Sequence, residues 1–477
     1  MVFSTNNIVY TIEYLIYNEY VVDMTDSIVK IYTSMSIPNT WTFWQKYSQK
    51  MVTSTGFIIK DNRIICNAHG IKHADTIQVR KNGNPIKYKA TLLYVSHEQD
   101  LAILTIQDSD FWIDLKPLEI GEMPLLRDNV YVVGYPKGGD TISITKGVIS
   151  RIDIRLYAHS SIPLIVIQID AAINSGNSGG PVMKDEKVVG IAFQVNTEKN
   201  TQNIGYVIPI CVFNHFINSI SLYNKFVGIG WLGLVIQKME NTSIQEYYKM
   251  NTEDKKLTGV KVKRMNKLTD VFNKLKIDDI ILSIDGNDIA VDGTIEFRKN
   301  ERIAYTYITS MKYPNDKCSL KILRQGQILN IDITLANIKE RYRLCPRYIY
   351  DYSYNQYYIY CGLIFCTTSY PYFQCFGKYW ESLAPSSFSH IAEHPGQEYQ
   401  DQEIVILSRV IVSDVTLGYY KYANKIVLSV NGINIKNLKH LINVITTTKD
   451  KYINLSLIHI SEPTRRTPIS YAVFCLK

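Results

Sequence analysis

Between residues 51 and 209 the apolar positions come in short bursts, each bounded by polar, turn-forming residues. Gly56-Phe57-Ile58-Ile59 and Arg63-Ile64-Ile65-Cys66 flank Lys60-Asp61-Asn62, which reads as a hairpin turn. Residues 75–80, 88–95, 101–106, 130–135 and 164–169 continue the series. This spacing, rich in Ile, Val and Tyr, predicts an all-β barrel or sandwich and argues against βαβ units. At Pro209 the period changes. Val212, Phe213, Phe216, Ile217 and Ile220 fall on one face of a 3.6-residue repeat, predicting a helix that closes the region.

Beyond residue 225 the chain repeats itself. Ile280-Ile281-Leu282-Ser283-Ile284-Asp285-Gly286 recurs as Ile426-Val427-Leu428-Ser429-Val430-Asn431-Gly432, each an apolar strand running into a tight turn. Each copy follows an apolar segment holding a single glycine: Trp231-Leu232-Gly233-Leu234 in the first, Cys361-Gly362-Leu363-Ile364 in the second. Two copies of one small α/β module is the economical reading. The second copy is aberrant, because residues 367–403 hold a Tyr/Phe/Pro-rich insertion. Residues 458–477 leave the pattern: they contain Pro463 and Pro468, so no regular strand or helix is expected there. That stretch resembles the peptide obtained when sequencing-adapter DNA is read as coding sequence. It is expected to be a non-native tail without function.

Composition narrows the class. A chain of 477 residues, 46% apolar and 20% charged, is globular, and its length suggests about three domains. Fifty-two Lys+Arg against 44 Asp+Glu leave +8, spread along the chain. Clusters such as Lys261, Lys263 and Arg264 read as a solvated face, so nucleic acid is not expected as a partner. Eight cysteines with no C-x-x-C pair read as mostly free thiols, and neither a metal site nor a cofactor is expected. The 35 Tyr look like coding bias. No uncharged apolar run reaches the ~18 residues of a membrane span. Glu13, Glu19 and Asp23 argue against a secretory signal, leaving an intracellular location as the expectation.

The chemistry centres on Gly176-Asn177-Ser178-Gly179-Gly180-Pro181. A serine between glycines after a strand can sit in a tight turn that exposes Oγ. The backbone N–H groups of Gly176 and Ser178 then converge as an oxyanion hole. Upstream, Asn67-Ala68-His69 ends a predicted strand, and Asp100 stands just before Leu101-Ala102-Ile103-Leu104. His69, Asp100 and Ser178 follow the His…Asp…Ser order of chymotrypsin-type barrels. His73, His97 and Asp170 compete for these roles on proximity alone.

From residue 26 to about 457 the chain resembles the Deg/HtrA serine proteases, most closely the plant-type branch with two divergent PDZ domains. Carrying the resemblance are Thr55-Gly56-Phe57, Asn67-Ala68-His69, Asp100-Leu101-Ala102-Ile103-Leu104, Gly134-Tyr135-Pro136, Thr145-Lys146-Gly147-Val148 and Asp170-Ala171-Ala172-Ile173-Asn174. The serine motif and Asn203-Ile204-Gly205-Tyr206-Val207-Ile208-Pro209 complete the set. The resemblance implies a mainly β chain: a chymotrypsin-like double β-barrel followed by two PDZ-like α/β domains. It implies Ser178 as nucleophile, His69 as base and Asp100 as orienting carboxylate, with Gly176, Asn177 and Ser178 around the oxyanion hole. Ile173 and Val195 match positions lining S1, and suggest a small or medium apolar P1 residue. Trypsin-like zymogens carry Asp where Asn177 stands, neutralised by a newly cut N-terminus; a neutral amide makes that cut unnecessary. Gly70, where the family has Val, could loosen the backbone of the histidine.

The implied division is an N-terminal segment 1–45 with oligomer-forming aromatics (Trp41, Phe43, Trp44), a peptidase domain 46–222, PDZ-like domains 225–338 and 339–457, and the tail. Leu232, Gly233 and Leu234, and Gly362 and Leu363, are the candidate peptide-binding loops, with a structural role favoured for the second copy. The expected activity is ATP-independent endoproteolysis of unfolded or damaged proteins by a trimer-based assembly. The alternative is a catalytically weak chaperone or peptide-binding scaffold on the same fold.

Overall fold

Two closed six-stranded barrels stand side by side and hold the serine motif between them. The computed structural model describes residues 24–174, 176–195, 204–252, 255–337, 343–347, 356–393, 396–458 and 469–475. The stretch weighed for a targeting signal lies outside them, except its last residues. The first barrel runs in the order β1-β2-β3-β6-β5-β4: β1 (Ile28–Met35), β2 (Lys50–Ile59), β3 (Arg63–Cys66), β4 (Ala74–Lys81), β5 (Lys87–Ser96) and β6 (Leu101–Ile106). The β2–β3 turn forms where expected, with Asp61 and Asn62 both left-handed. β1 pairs with β2 on one side and β4 on the other, so the barrel starts at Ile28 and the boundary set at 46 falls inside it. All eight residues of β1 are buried, including Lys30, Thr33 and Ser34, and these polar positions hide the strand from a hydrophobicity reading.

The second barrel runs β10-β11-β12-β9-β8-β7, from β7 (Asn129–Gly134), β8 (Ser143–Leu156), β9 (Pro163–Ile169), β10 (Pro181–Lys184), β11 (Lys187–Val195) and β12 (Gly205–Pro209). Helix α1 (Ile210–Tyr223) follows with Pro209 at its N-cap, and it buries Val212, Phe213, Phe216 and Ile220 as the period predicts.

The two repeats share one plan. In the first, strands Leu234–Gln237, Val260–Met265, Ile280–Ile284, Lys317–Arg324 and Gln327–Thr334 lie side by side in that order. In the second the corresponding strands are Leu363–Thr367, Val405–Val410, Lys425–Val430, Tyr452–Ile458 and Ile469–Cys475. The repeated turns match: Asp285-Gly286 and Asn431-Gly432 each have two positive φ angles. The last strand corrects a sequence expectation. Ile469–Cys475, within the segment expected to hold no regular strand, pairs in seven-residue register with Tyr452–Ile458. Pro468 stands just before this strand, where a missing N–H costs no ladder bond.

One difference matters for binding. The strand Leu234–Gln237 is an edge of its sheet, whereas Leu363–Thr367 is covered by an added strand, Tyr357–Tyr360. Cys361 and Gly362 both have positive φ, so they close a two-residue hairpin where the first repeat has an open loop.

The first repeat shares a continuous apolar core with the second barrel. Arg298 Nη1 donates to the Pro124 carbonyl (2.9 Å) and the Tyr313 hydroxyl to that of His215 (3.0 Å). The second repeat meets the peptidase through the β1–β2 loop. Trp41 stacks on Tyr372 at 5.6 Å with the Arg409 guanidinium over the Trp41 ring at 4.3 Å, and Phe43 stacks on Tyr357 at 5.8 Å. Trp41 and Phe43 thus find ring partners within their own chain, Tyr372 inside the Tyr/Phe-rich insertion and Tyr357 in the added strand ahead of it. Each such ring pair contributes about 0.5–1.5 kcal/mol. Trp41→Ala is expected to speed hydrogen exchange across residues 370–391 by about tenfold, as ~1.4 kcal/mol implies; unchanged exchange there would show that the loop contributes no hold.

Candidate active site

Asp100 is the buried anchor. Its backbone is left-handed (φ 56°), and its carbonyl accepts from Asn67 Nδ2 (3.0 Å) and the Ala68 N–H (3.2 Å). This ties the β5–β6 turn to the end of β3. The carboxylate then meets His69 twice: Oδ1 accepts the backbone N–H (2.8 Å) and Oδ2 accepts from Nδ1 (2.7 Å). The Asp100 side chain is 1% exposed and that of His69 36%, so one carboxylate is sealed while the ring keeps an open edge. Burial works against the charge on each partner, yet their mutual attraction and hydrogen bond prevail. Asp100 is held below the usual carboxylate range, and His69 is raised above the ordinary imidazole value. With the proton on Nδ1, Nε2 is left as an acceptor.

The serine loop docks against the same barrel. Thr55 is fully buried in β2, and its N–H donates to the Ser178 carbonyl (3.0 Å). Its hydroxyl donates to the Gly176 carbonyl (2.8 Å) and accepts from the Tyr135 N–H (2.8 Å). Gly179 (φ 89°) must lack a Cβ, which would collide with the Thr55 carbonyl and come within 3.2 Å of the Asn67 N–H. That contact sets the serine loop two residues from His69. The Ser178 hydroxyl itself donates to the Phe193 carbonyl (3.3 Å) and makes no hydrogen bond to His69. Apo sites are commonly loose at this step and tighten on substrate. The Asn177 N–H is turned to the Asn174 carbonyl (3.0 Å), while the Ser178 N–H has no carbonyl partner among the described residues.

The other sequence candidates separate cleanly. Asp170, just past the end of β9, accepts the Val148 N–H at Oδ1 (2.6 Å), while the His69 ring nitrogen is taken by Asp100. Ile173 is buried, and a Cβ on Gly205 would meet its Cδ1 at 2.7 Å, so it packs against β12. The Val195 side chain lies outside the described residues. Gly70 has no left-handed backbone. A Cβ there would come within 2.9 Å of Ser54 Oγ, so the glycine makes room for Ser54 rather than loosening His69. Cys66 is a buried filler beside it, its thiol pushed up by burial.

His159 escaped the sequence reading. It belongs to the β8–β9 connection, and its Nε2 lies 3.0 Å from Nδ1 of His97, with its ring 6.2 Å from that of His69. The Ser160 hydroxyl adds a bond to the Glu98 carbonyl (2.9 Å), so this connection is fastened to the β5–β6 turn. A histidine in a connection leaves no periodic signal; only the three-dimensional arrangement identifies it.

Known proteins agree with this architecture. A trypsin-like peptidase domain matches residues 54–191 and a PDZ domain residues 345–463. "Putative protease Do-like 3, mitochondrial" of Arabidopsis thaliana is 40% identical over 420 residues, covering 88% of this chain and 72% of its own length. "Protease Do-like 2, chloroplastic" of the same plant is 38% identical over 429 residues, covering 90% and 69%. The solved HtrA-type protease AlgW with decapeptide aligns at TM-score 0.52 and 22% identity over 68% of this chain and 99% of that one, a likeness of fold. Barrels, dyad and serine loop together define a trypsin-like serine endopeptidase carrying a PDZ domain. The chain belongs to the Do-like (Deg/HtrA) family of serine proteases.

Burial, reinforced by the charge of His159, brings His97 down to about 3; burial, opposed by Asp100 but reinforced by His69 and Lys72, brings His159 down to about 4. An unfolded histidine titrates near 6.5, so below that pH the unfolded chain takes up protons that the folded chain refuses. His69, raised, acts oppositely: its contribution is present below about 6.5 and lost as pH rises through the folded value. Stability is therefore expected to fall from about pH 6.5 towards 4, by up to about 1.4 kcal/mol per unit for each depressed histidine. Urea unfolding of the parent chain and His159→Gln across this window measures it, and an unaltered slope in the variant would refute the assignment.

Proposed function

We propose that Ser178 attacks the scissile carbonyl, that His69 takes its proton through Nε2 and returns it to the leaving amine, and that Asp100 holds the imidazole in the required tautomer. The N–H groups of Gly176 and Ser178 would receive the oxyanion; the Asn177 N–H, committed to Asn174, would serve the turn. The observation that carries this reading is a sealed carboxylate bonded at once to the backbone and ring of His69, beside a serine loop bonded to the same barrel.

The favoured substrates are unfolded or damaged polypeptides cleaved after small or medium apolar residues, in protein quality control and without a nucleotide cofactor. The first repeat supports capture of an extended peptide, because Leu234–Gln237 offers a free strand edge next to Leu232-Gly233, with Gly233 left-handed. The second repeat supports a structural role, since Tyr357–Tyr360 already occupies the corresponding edge. Family membership supports a trimer-based assembly. No helix among the described residues is long and apolar enough to cross a membrane; the relatives named mitochondrial and chloroplastic favour an organelle.

Purified protein is expected to digest casein, Ser178→Ala to abolish digestion, and Asp100→Asn to lower kcat by about 10⁴-fold. Undiminished cleavage by Ser178→Ala would refute the assignment. Because His69 must be neutral to act, and is raised, the acid limb of kcat/KM is expected above the ordinary pH 6.5. A limb below that value would contradict the Asp100 pairing.

A further inference from the structure

Lys30 sits in the middle of β1 with its side chain 5% exposed, and an ammonium so placed needs full pairing to be tolerated. Its partners come from the other barrel. Nζ donates to the Gly139 carbonyl (2.6 Å) and to Asp140 Oδ1 (2.7 Å), both in the loop between β7 and β8. Arg80 adds Nη2 bonds to the Asp140 carbonyl (3.0 Å) and to Oδ1 (3.3 Å). The rings of Tyr32 and Tyr135 face the ammonium at 5.3 and 5.9 Å. In the ladder, Lys30 stands opposite Arg80 on one side and Thr55 on the other. The clamp and the residue that ties down the serine loop therefore form one row across three strands.

The clamped loop backs the catalytic turn. Gly176 (φ 107°) lies so close to it that a Cβ would come within 2.5 Å of the Tyr135 carbonyl and 2.6 Å of the Lys137 N–H. Thr55 Oγ1 joins the same two segments, accepting from Tyr135 and donating to Gly176. A displacement of residues 136–140 therefore reaches Gly176 with no intervening solvent or flexible side chain.

We propose that Lys30 and Asp140 are positioning residues for the oxyanion hole, an inter-barrel ion pair that holds the β7–β8 loop against Gly176 in the catalytically competent arrangement. This deepens, and rests on, the reading of the Gly176 and Ser178 N–H groups as the oxyanion donors. The Asp140 side chain is 72% exposed, so it adds little to the core, and the pair's effect falls on loop position. Interactions at the oxyanion act in the transition state, so their loss lowers kcat more than it raises KM.

The experiment uses the full chain and a chromogenic peptide with valine at P1. Asp140→Asn is expected to lower kcat about tenfold to a hundredfold, short of the 100- to 1,000-fold typical of losing a donor outright. KM should stay within about twofold, and inactivation by a peptidyl phosphonate, which builds the same tetrahedral centre, should slow in parallel. Asp140→Glu should recover most of the rate, and Lys30→Met should match or exceed the defect of Asp140→Asn. Removing the counter-charge of a buried ammonium lowers the melting temperature too, so kcat is read at a temperature where each variant is fully folded. Wild-type kcat in Asp140→Asn, or a loss confined to KM, or a loss that Asp140→Glu does not restore, would overturn the clamp. Ser178→Ala separates the two failures: if it is inactive while Asp140→Asn keeps the full rate, only the clamp is wrong, whereas undiminished cleavage by Ser178→Ala removes the nucleophile assignment on which the oxyanion reading rests.

Discussion

Thr55 is the point at which two independently closed barrels become one catalytic unit. A barrel satisfies its own backbone, so nothing in its ladder obliges it to hold a neighbour in register. The obligation comes from a buried residue of β2 that bonds Ser178 and Gly176 through their carbonyls and Tyr135 through its N–H. Gly179 permits this closeness, because any side chain there would strike Thr55 itself. His69 is fixed on the same barrel by Asp100. The distance between base and nucleophile loop is thus set by one interface of a few buried hydrogen bonds, each worth about 0.5–1.5 kcal/mol net but expensive to leave unmade. A hydroxyl is what this position requires, because Thr55 Oγ1 both donates and accepts there.

What was legible in the sequence is what depends on local backbone chemistry. Gly176-Asn177-Ser178-Gly179-Gly180 announces its turn because left-handed and contact-crowded positions require glycine. The Asp-Gly and Asn-Gly turns betrayed the repeat for the same reason. The strands of the barrels were readable wherever one face alternates cleanly. β1 was not, because Lys30, Thr33 and Ser34 are buried polar residues, and the partners that make Lys30 tolerable lie far along the chain in another element. His159 and the stacking of Trp41 on Tyr372 are likewise products of long-range packing, invisible to any window along the chain. Pro468 misled in the opposite direction: a proline forbids the middle of a strand but suits the residue ahead of one.

The two repeats show how one sheet plan is put to different ends by a two-residue change of connection. Where the chain enters through an open loop, the edge strand keeps its free N–H and C=O groups, a standing invitation to an extended peptide. Where Cys361 and Gly362 close a hairpin, the preceding segment folds back and takes that place. An external peptide would have to displace a covalently attached competitor, whose effective concentration is high because the linker is only the turn. The covered copy is also the one whose insertion grips the β1–β2 loop through Tyr372 and Phe376. Both repeats are therefore attached to the peptidase, the first through an apolar core shared with the second barrel, but only the second has its binding edge occupied by its own chain.

The neutral Asn177 and the cationic Lys30 bear on one problem from two sides. A trypsin-like zymogen keeps its pocket disordered until a cut supplies an ammonium to a buried carboxylate. Here that position is a fully buried amide with no hydrogen-bond partner among the described residues, so no ammonium is called for at that point. The buried ammonium near the oxyanion turn belongs instead to Lys30, and its counter-charge, Asp140, is carried by the loop it orders. A charge pair encoded on a strand of one barrel and a loop of the other forms when the barrels dock. Order around Gly176 then follows from folding and loop position, and the neutral amide at Asn177 asks for no newly cut N-terminus to supply a charge.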